Sequence, residues 1–145
     1  MCSSDLWWTP RVADAYKERA ACVANQYDQY VATDEVHVNG KLTLGENIAD
    51  IGGLKLALAA LRARNGAQVG GRSKFTPEQQ LFLSFGQVWC QNATPEARRL
   101  RAVTDPHSPG RWRVNGPISD NEDFGTVFSC KPGTKMNPVK KCVVW

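Results

Sequence analysis

No apolar run in this chain approaches the ~20 residues needed to cross a bilayer, so nothing in it reads as a membrane span. The opening Met1–Leu6 has neither the basic start nor the apolar centre of a secretory signal. That absence does not make the protein cytosolic, because a chain whose own beginning lies elsewhere shows the same lack. There are no internal repeats and no low-complexity segments, which excludes repeat arrays and compositionally disordered tracts. Five cysteines contain no C-x-x-C pair, which argues against a zinc knuckle or a thioredoxin-like centre. Histidine is scarce, with only His37 and His107. No recognised nucleic-acid motif and no strong basic stripe are present, so nucleic acid is not an expected partner.

What remains is ordinary for a globular protein. The chain has 145 residues, 42% of them hydrophobic and 22% charged, enough for one domain with a real core and unlike a disordered segment. Residues 1–6 read like a translated sequencing-adapter scar, and the Trp7-Trp8 pair follows at once. Two adjacent indoles at a chain end expose a large apolar area unless something covers them, so truncation is the expected reading. The net charge of +4 is concentrated late, at Arg98, Arg99, Arg101, Arg111, Arg113, Lys131, Lys135, Lys140 and Lys141. These read as a solvated basic face, with a footprint for an anionic partner as the alternative. Setting aside Cys2, the cysteines are Cys22, Cys90, Cys130 and Cys142. Cys142, close to the terminal Trp145, is placed to tie down a fraying tail, which favours disulfides and an oxidising compartment over buried free thiols.

Along the chain, Thr9-Pro10 is a helix cap and start, and Tyr16, Ala20, Val23 and Tyr27 recur at helical spacing to about Tyr30. Residues 34–44 form an irregular or strand-like connector around Asn39-Gly40. A second helix is predicted from Leu44 to about Arg64, ended by Asn65-Gly66, and the Gly- and Arg-rich residues 65–74 form a surface loop. Thr76-Pro-Glu-Gln79 fits a capping box leading into an almost wholly apolar, buried helix through Cys90. Thr94-Pro95 starts a shorter helix to about Val103. Beyond Asp105 the prolines and glycines break regular structure, apart from a short helical piece near residues 121–128. The prediction is a mainly α protein with a loop-rich tail.

The sharpest local feature is Gly45-Glu-Asn-Ile-Ala-Asp-Ile-Gly-Gly53. Glu46 and Asp50 lie four apart and project from one helical face, continued by Gly53 and Ala57. Lys55 and Arg62 lie roughly opposite and mark the solvent side, so both carboxylates are expected to point inward. Like charges at this spacing repel, and burying either costs several kcal/mol without a compensating cation, metal or donor. Gly52-Gly53 adds ~1–2 kcal/mol of helix cost, reasonable if another backbone packs close. A metal oriented by a neighbouring carboxylate explains the pattern, and so does a buried arginine partner.

Glu46-Asn-Ile-Ala-Asp50 with Gly52-Gly53 resembles the third-ligand motif of the neprilysin and endothelin-converting-enzyme family of zinc metallopeptidases. Gln87-Val-Trp-Cys90, His107-Ser-Pro-Gly-Arg-Trp-Arg113 and Met136-Asn-Pro-Val-Lys-Lys-Cys-Val-Val-Trp145 follow in the family's order, so the resemblance runs from Trp7 onward. It implies the C-terminal part of a zincin, thermolysin-like catalytic domain over residues 7–145, with a loop-rich, disulfide-tied tail. By the resemblance Glu46 is a Zn²⁺ ligand, and Asp50 accepts a hydrogen bond from a zinc-binding histidine. The two ligand histidines and the general-base glutamate belong to an upstream H-E-x-x-H helix, which this sequence lacks, so the segment is expected to be inactive alone. His107 then hydrogen-bonds the oxyanion, and Arg113 binds a substrate backbone carbonyl. Val88 and Trp89 line the pocket for a large apolar side chain after the scissile bond.

The same resemblance pairs Cys22 with Cys142 and assigns Cys90 and Cys130 to cysteines upstream. Its implied partners are peptide substrates and the missing N-terminal part of the same protein. It also implies an extracellular or periplasmic setting, with a membrane entering only through an upstream anchor. The competing expectation is a disulfide-stapled, non-catalytic binding module that uses its basic tail to hold an anion.

Overall fold

Three threonine–proline pairs begin three helices. The Thr9, Thr76 and Thr94 hydroxyls accept hydrogen bonds from the Val12, Gln79 and Ala97 amides at 3.3, 3.2 and 3.3 Å, and each following proline lacks the N–H that a first turn leaves unused. The computed structural model describes residues 8–64 and 74–144. The expected scar at 1–6, Trp7, the loop of residues 65–73 with its helix-ending Asn65-Gly66, and the terminal Trp145 lie outside the described residues.

The helices are α1 (Pro10–Tyr27), α2 (Leu44–Ala63), α3 (Pro77–Val88), α4 (Pro95–Thr104), α5 (Gly110–Asp120) and the single turn α6 (Phe124–Val127). A small antiparallel hairpin, β1 (Val31–Thr33) with β2 (Val36–His37), sits between α1 and α2 and turns at Asp34, whose φ is +48°. The mainly helical prediction is borne out. The first helix stops at Tyr27, three residues short of the predicted end, because the chain turns there into β1.

Two apolar clusters hold the helices. Ala20, Val23 and Tyr27 of α1 pack with Ile48 and Ile51 of α2, Val38, and the tail residues Cys142 and Val144. Leu54 and Leu58 of α2 pack with Phe82 of α3 and Ile118 of α5. Lys55 and Arg62 face solvent as expected, and Arg62 bridges Glu78 and Asp123 at 2.6 and 3.0 Å.

Two expectations fail. The apolar run of α3 is not wholly buried: Phe82 is, but Leu83 and Val88 are exposed, so the run covers the core with one edge only. The segment expected to be irregular after Asp105 instead contains α5. Pro117 inside it removes one hydrogen-bond donor, a cost of ~3 kcal/mol in isolation. Packing overrides this local preference. Pro117 is fully buried, Ile118 enters the core, and Gly116 lies so close to Tyr27 that a Cβ there would meet the phenol oxygen.

The tail is fastened at its end. Cys22 and Cys142 form the disulfide implied by the resemblance, closing a separation of 120 residues, and the Cys142 amide donates to Asp120 Oδ1 at 2.9 Å. Disulfides typically stabilise by roughly 2–4 kcal/mol, mainly by restricting the unfolded chain and more so for long loops such as this one. Burial pushes the Asp120 carboxyl up to about 6, opposed by the Cys142 amide.

In an unfolded chain the same carboxyl titrates near ~3.9. The folded protein therefore holds an extra proton between these values, and the resulting stability is fully present below the lower value and lost as pH rises through the upper one. Asp120 should lower the unfolding free energy by up to ~3 kcal/mol between about pH 4 and pH 7. Asp120→Asn keeps an acceptor for the Cys142 amide and should flatten that decline. Urea unfolding at both ends of the range checks this, and an unchanged slope in the variant would exclude Asp120 as its source.

Candidate active site

The site is built where α5 crosses α2. Asp50 projects from α2 and Arg113 from α5, and they meet in a two-pronged ion pair: Nε donates to Oδ2 at 2.7 Å and Nη2 to Oδ1 at 2.8 Å. Both side chains are nearly enclosed, at 9% and 11% exposure, and these hydrogen bonds hold the Arg113 guanidinium even more firmly protonated than usual. The guanidinium lies over the Trp89 ring with its carbon 3.7 Å from the centroid, which adds a cation–π contact to the pair. Of the two explanations that the Glu46/Asp50 spacing left open, a buried arginine is therefore present at Asp50.

Glu46 lies one turn earlier on α2 and is treated differently. Its side chain is 43% exposed, and its Oε2 stands 3.5 Å from Arg113 Nη2 and 3.4 Å from His107 Nε2. The expectation that both carboxylates point inward thus holds for Asp50 and fails for Glu46, which sits at the rim. Gly53 also departs from expectation: a Cβ there would meet nothing within 4 Å, so no close backbone explains it. Ala57 is exposed, and the stripe Glu46–Gly53–Ala57 is an open face among the described residues.

His107 is held from behind. Asp105 Oδ1 takes the His107 backbone amide at 2.9 Å and faces Nδ1 at 2.8 Å. These two bonds hold the Asp105 carboxyl below the usual range, the backbone donor contributing most. An ionised carboxylate only accepts, so Nδ1 carries the hydrogen. Nε2 is then a donor only in the imidazolium form. The next residue, Ser108, is buried and donates to Asn47 Oδ1 at 2.8 Å, while Asn47 donates to Thr43 Oγ1 at 2.9 Å. Asn47 is fully enclosed, so this chain of bonds ties the His107 loop to the first turn of α2 beside Glu46. Gly110 then starts α5 against the Trp89 carbonyl, where a Cβ would come within 2.6 Å of the oxygen.

The fold brings Glu46, Asp50, Trp89, His107 and Arg113 together across residues far apart in sequence. His107, Arg113 and Trp89 line a cavity of about 520 Å³ that extends towards α4 and β1. Val88 is not among its walls and is 74% exposed. His37 lies elsewhere, with Nδ1 against the Asp28 carbonyl at 2.8 Å. Cys90 and Cys130 are unbridged.

The sequence reading missed Asp105, Asn47, Ser108 and Gly110. Asp105 had a local signal, an aspartate two residues before a histidine in a proline-bounded loop, the spacing of an Asx turn. Asn47 and Ser108 had none, being 61 residues apart.

A catalytic zinc needs about three protein donors. Among the described residues no group of three His, Cys, Asp or Glu side chains is arranged to hold a metal. Glu46 fits one ligand position, since its Oε1 meets no partner among the described residues and its side chain is half-exposed.

Comparison with known proteins gives the family. The model of peptidase family M13 matches residues 3–144. An endothelin-converting enzyme homolog of Locusta migratoria is 48% identical over 143 residues, covering 96% of this chain and 20% of the relative. Neprilysin-3 of Drosophila melanogaster is 43% identical over 144 residues, with 96% and 18% covered. Among solved structures, the Mycobacterium tuberculosis zinc metalloprotease Zmp1 in complex with inhibitor superposes with a TM-score of 0.77 at 33% identity, covering 86% of this chain and 20% of that one. The Haemonchus galactose-containing glycoprotein complex gives 0.82 at 35%, with 93% and 24% covered. The chain thus spans about a fifth of the length of the curated relatives it matches. On a family match covering nearly its whole length, this chain belongs to peptidase family M13.

Proposed function

We propose that this chain forms the carboxylate-ligand and peptide-binding side of a zinc endopeptidase active site. The observation that carries the reading is the convergence of Glu46, His107 and Arg113 on one open face, with Asp50 anchoring it from below. In this reading Glu46 is the protein's carboxylate ligand to zinc, and two histidines and a general base come from residues outside this chain. The segment alone is then inactive. A zinc ion supplies Lewis-acid chemistry, activating water and polarising the scissile carbonyl.

The remaining roles follow from local geometry. Asp50 spends one lone pair of each oxygen on Arg113 and keeps others with which to orient a ligand histidine. Arg113 uses Nε and Nη2 on Asp50, and among the described residues nothing accepts from Nη1, which is free to hold a peptide carbonyl. Its position costs no reorganisation on binding because Asp50 and Trp89 have already fixed it. His107, backed by Asp105, donates from Nε2 to the developing oxyanion when protonated. Trp89 and the exposed Val88 offer apolar surface to the side chain after the scissile bond.

The substrates are peptides, and the partner is the rest of the same polypeptide. Cys90 and Cys130 are available to pair with cysteines outside this chain. The Cys22–Cys142 bridge supports an extracellular or periplasmic setting. No helix among the described residues is long and apolar enough to cross a membrane.

In the full-length enzyme, Glu46→Gln should lower zinc content after dialysis and cut kcat by roughly a hundredfold or more, as expected when a metal ligand loses its charge. Unchanged zinc by atomic absorption together with unchanged activity would remove Glu46 from the ligand set. Arg113→Lys keeps the charge but loses the fork. It should raise KM for peptides about tenfold while zinc content stays the same, and an unaltered dependence on peptide concentration would contradict the assignment.

A further inference from the structure

Glu46 and His107 each have a neighbour in sequence that the proposed chemistry leaves unused. Asn47 follows Glu46 on α2, and a step of ~100° round the helix turns it from the open face into the interior, where it is fully enclosed. Ser108 follows His107 and is also buried. The two buried side chains meet, Ser108 Oγ donating to Asn47 Oδ1 at 2.8 Å. Residues 46–47 and 107–108 are thus joined through their inner members, while their outer members face each other at 3.4 Å across the rim.

The other bonds around His107 do not set that spacing. Asp105 holds both the His107 amide and its ring, but it belongs to the same loop and travels with it. Asp50 and Arg113 fix α5 to α2 further along the chain. Among the described residues, Ser108 to Asn47 is the only buried hydrogen bond that carries residues 105–109 across to α2.

Asn47 is itself fixed in orientation. The Thr43 amide and hydroxyl both donate to the Asn39 carbonyl, at 3.0 and 2.9 Å, so Thr43 Oγ1 is left to accept. Asn47 Nδ2 supplies that bond at 2.9 Å, which turns Oδ1 towards Ser108. The turn at Asn39-Gly40 is in turn seated on the end of α1. The Gly40 amide donates to Asp28 Oδ1 at 2.7 Å, and a Cβ at Gly40 would collide with the Ala24 carbonyl. The donors therefore run in one direction, from the His107 loop through α2 to a turn held by α1.

We propose that Asn47 and Ser108 are positioning residues that hold His107 at the distance from Glu46 that its oxyanion role requires. The proposal rests on the reading of His107 as the oxyanion donor and names what sets its place. A donor aimed at a developing charge is effective because it is already in position, and a shift of ~1 Å at such a group can cost as much as a hundredfold in rate. Both side chains are buried beneath the open face, so they act through His107 and not on the peptide.

The test uses the full-length enzyme. Ser108→Ala removes the crossing bond with little change of shape. Thr43→Val removes the acceptor that orients Asn47, and Thr43→Ser keeps it. For a peptide substrate, kcat should fall about tenfold in Ser108→Ala and by less in Thr43→Val, with KM and zinc content unchanged and Thr43→Ser close to the unaltered enzyme. In a His107→Ala background, Ser108→Ala should cause no further loss, because the group it positions is gone. Hydrogen exchange read by mass spectrometry on the zinc-free enzyme gives a measure apart from activity: amides of the His107 loop should exchange about tenfold faster in Ser108→Ala, and those of α1 should not change.

Unchanged kcat in folded Ser108→Ala, equal losses with and without His107, or unaltered exchange overturns the proposal. Loss of zinc in Ser108→Ala also overturns it, by assigning the bond to Glu46. Failure of both Ser108→Ala and Thr43→Val to fold does the same, by assigning the bonds to stability alone. If His107→Ala itself leaves kcat unchanged, the oxyanion reading fails, while faster exchange in Ser108→Ala still shows that Asn47 holds the loop.

Discussion

Among the described residues Asp50 and Arg113 are the only ion pair in the site with both partners nearly enclosed, and much of the geometry hangs on them. Their two hydrogen bonds fix α5 against α2, seat the guanidinium on Trp89, and leave Nη1 without a hydrogen-bond partner among the described residues. A buried ion pair of this kind gives little net stability over an apolar replacement, yet removing one partner costs ~3–5 kcal/mol because the other charge is stranded. The pair is better understood as setting position than as adding stability. It decides which side of α5 faces the open carboxylate of Glu46.

Around that pair, rigidity comes from neutral hydrogen bonds. Thr43, Asn47 and Ser108 form a buried relay that binds the His107 loop to the base of α2, and Asp105 orients the ring from the other side. Glu46 and His107 are left half-exposed at the surface, where the proposed function needs a partner segment and a substrate to reach them. The supporting side chains are buried and the proposed ligand and oxyanion donor are open, an arrangement suited to the proposed two-part site.

The sequence exposed much of this, unevenly. Helix starts were legible because Thr-Pro and the Thr76–Gln79 box act locally, within one turn. Glu46 and Asp50 stood out because two carboxylates on one face demand an explanation, although spacing alone did not distinguish a metal from Arg113. Helix α5 was invisible: Gly110, Gly116 and Pro117 each speak against a helix, and only packing against Tyr27, Trp89 and the core reverses them. The buried α3 was over-read for the opposite reason. Its apolar residues are real, but among the described residues Leu83 stays partly and Val88 largely exposed. The late basic residues looked like a solvated face, and most are exposed; that Arg98, Arg101 and Arg111 share one cavity wall follows from how α4 and α5 are placed, which no local pattern encodes.

The central claim is that Glu46 is open because it completes a metal site with residues from elsewhere in the same polypeptide. Diffraction from crystals of the full-length enzyme, collected on both sides of the zinc absorption edge, tests it directly. The account predicts an anomalous peak about 2.0–2.2 Å from a Glu46 carboxylate oxygen, with Asp50 still paired to Arg113 beneath it. A zinc peak remote from Glu46, with its carboxylate still turned to His107 and Arg113, would contradict it.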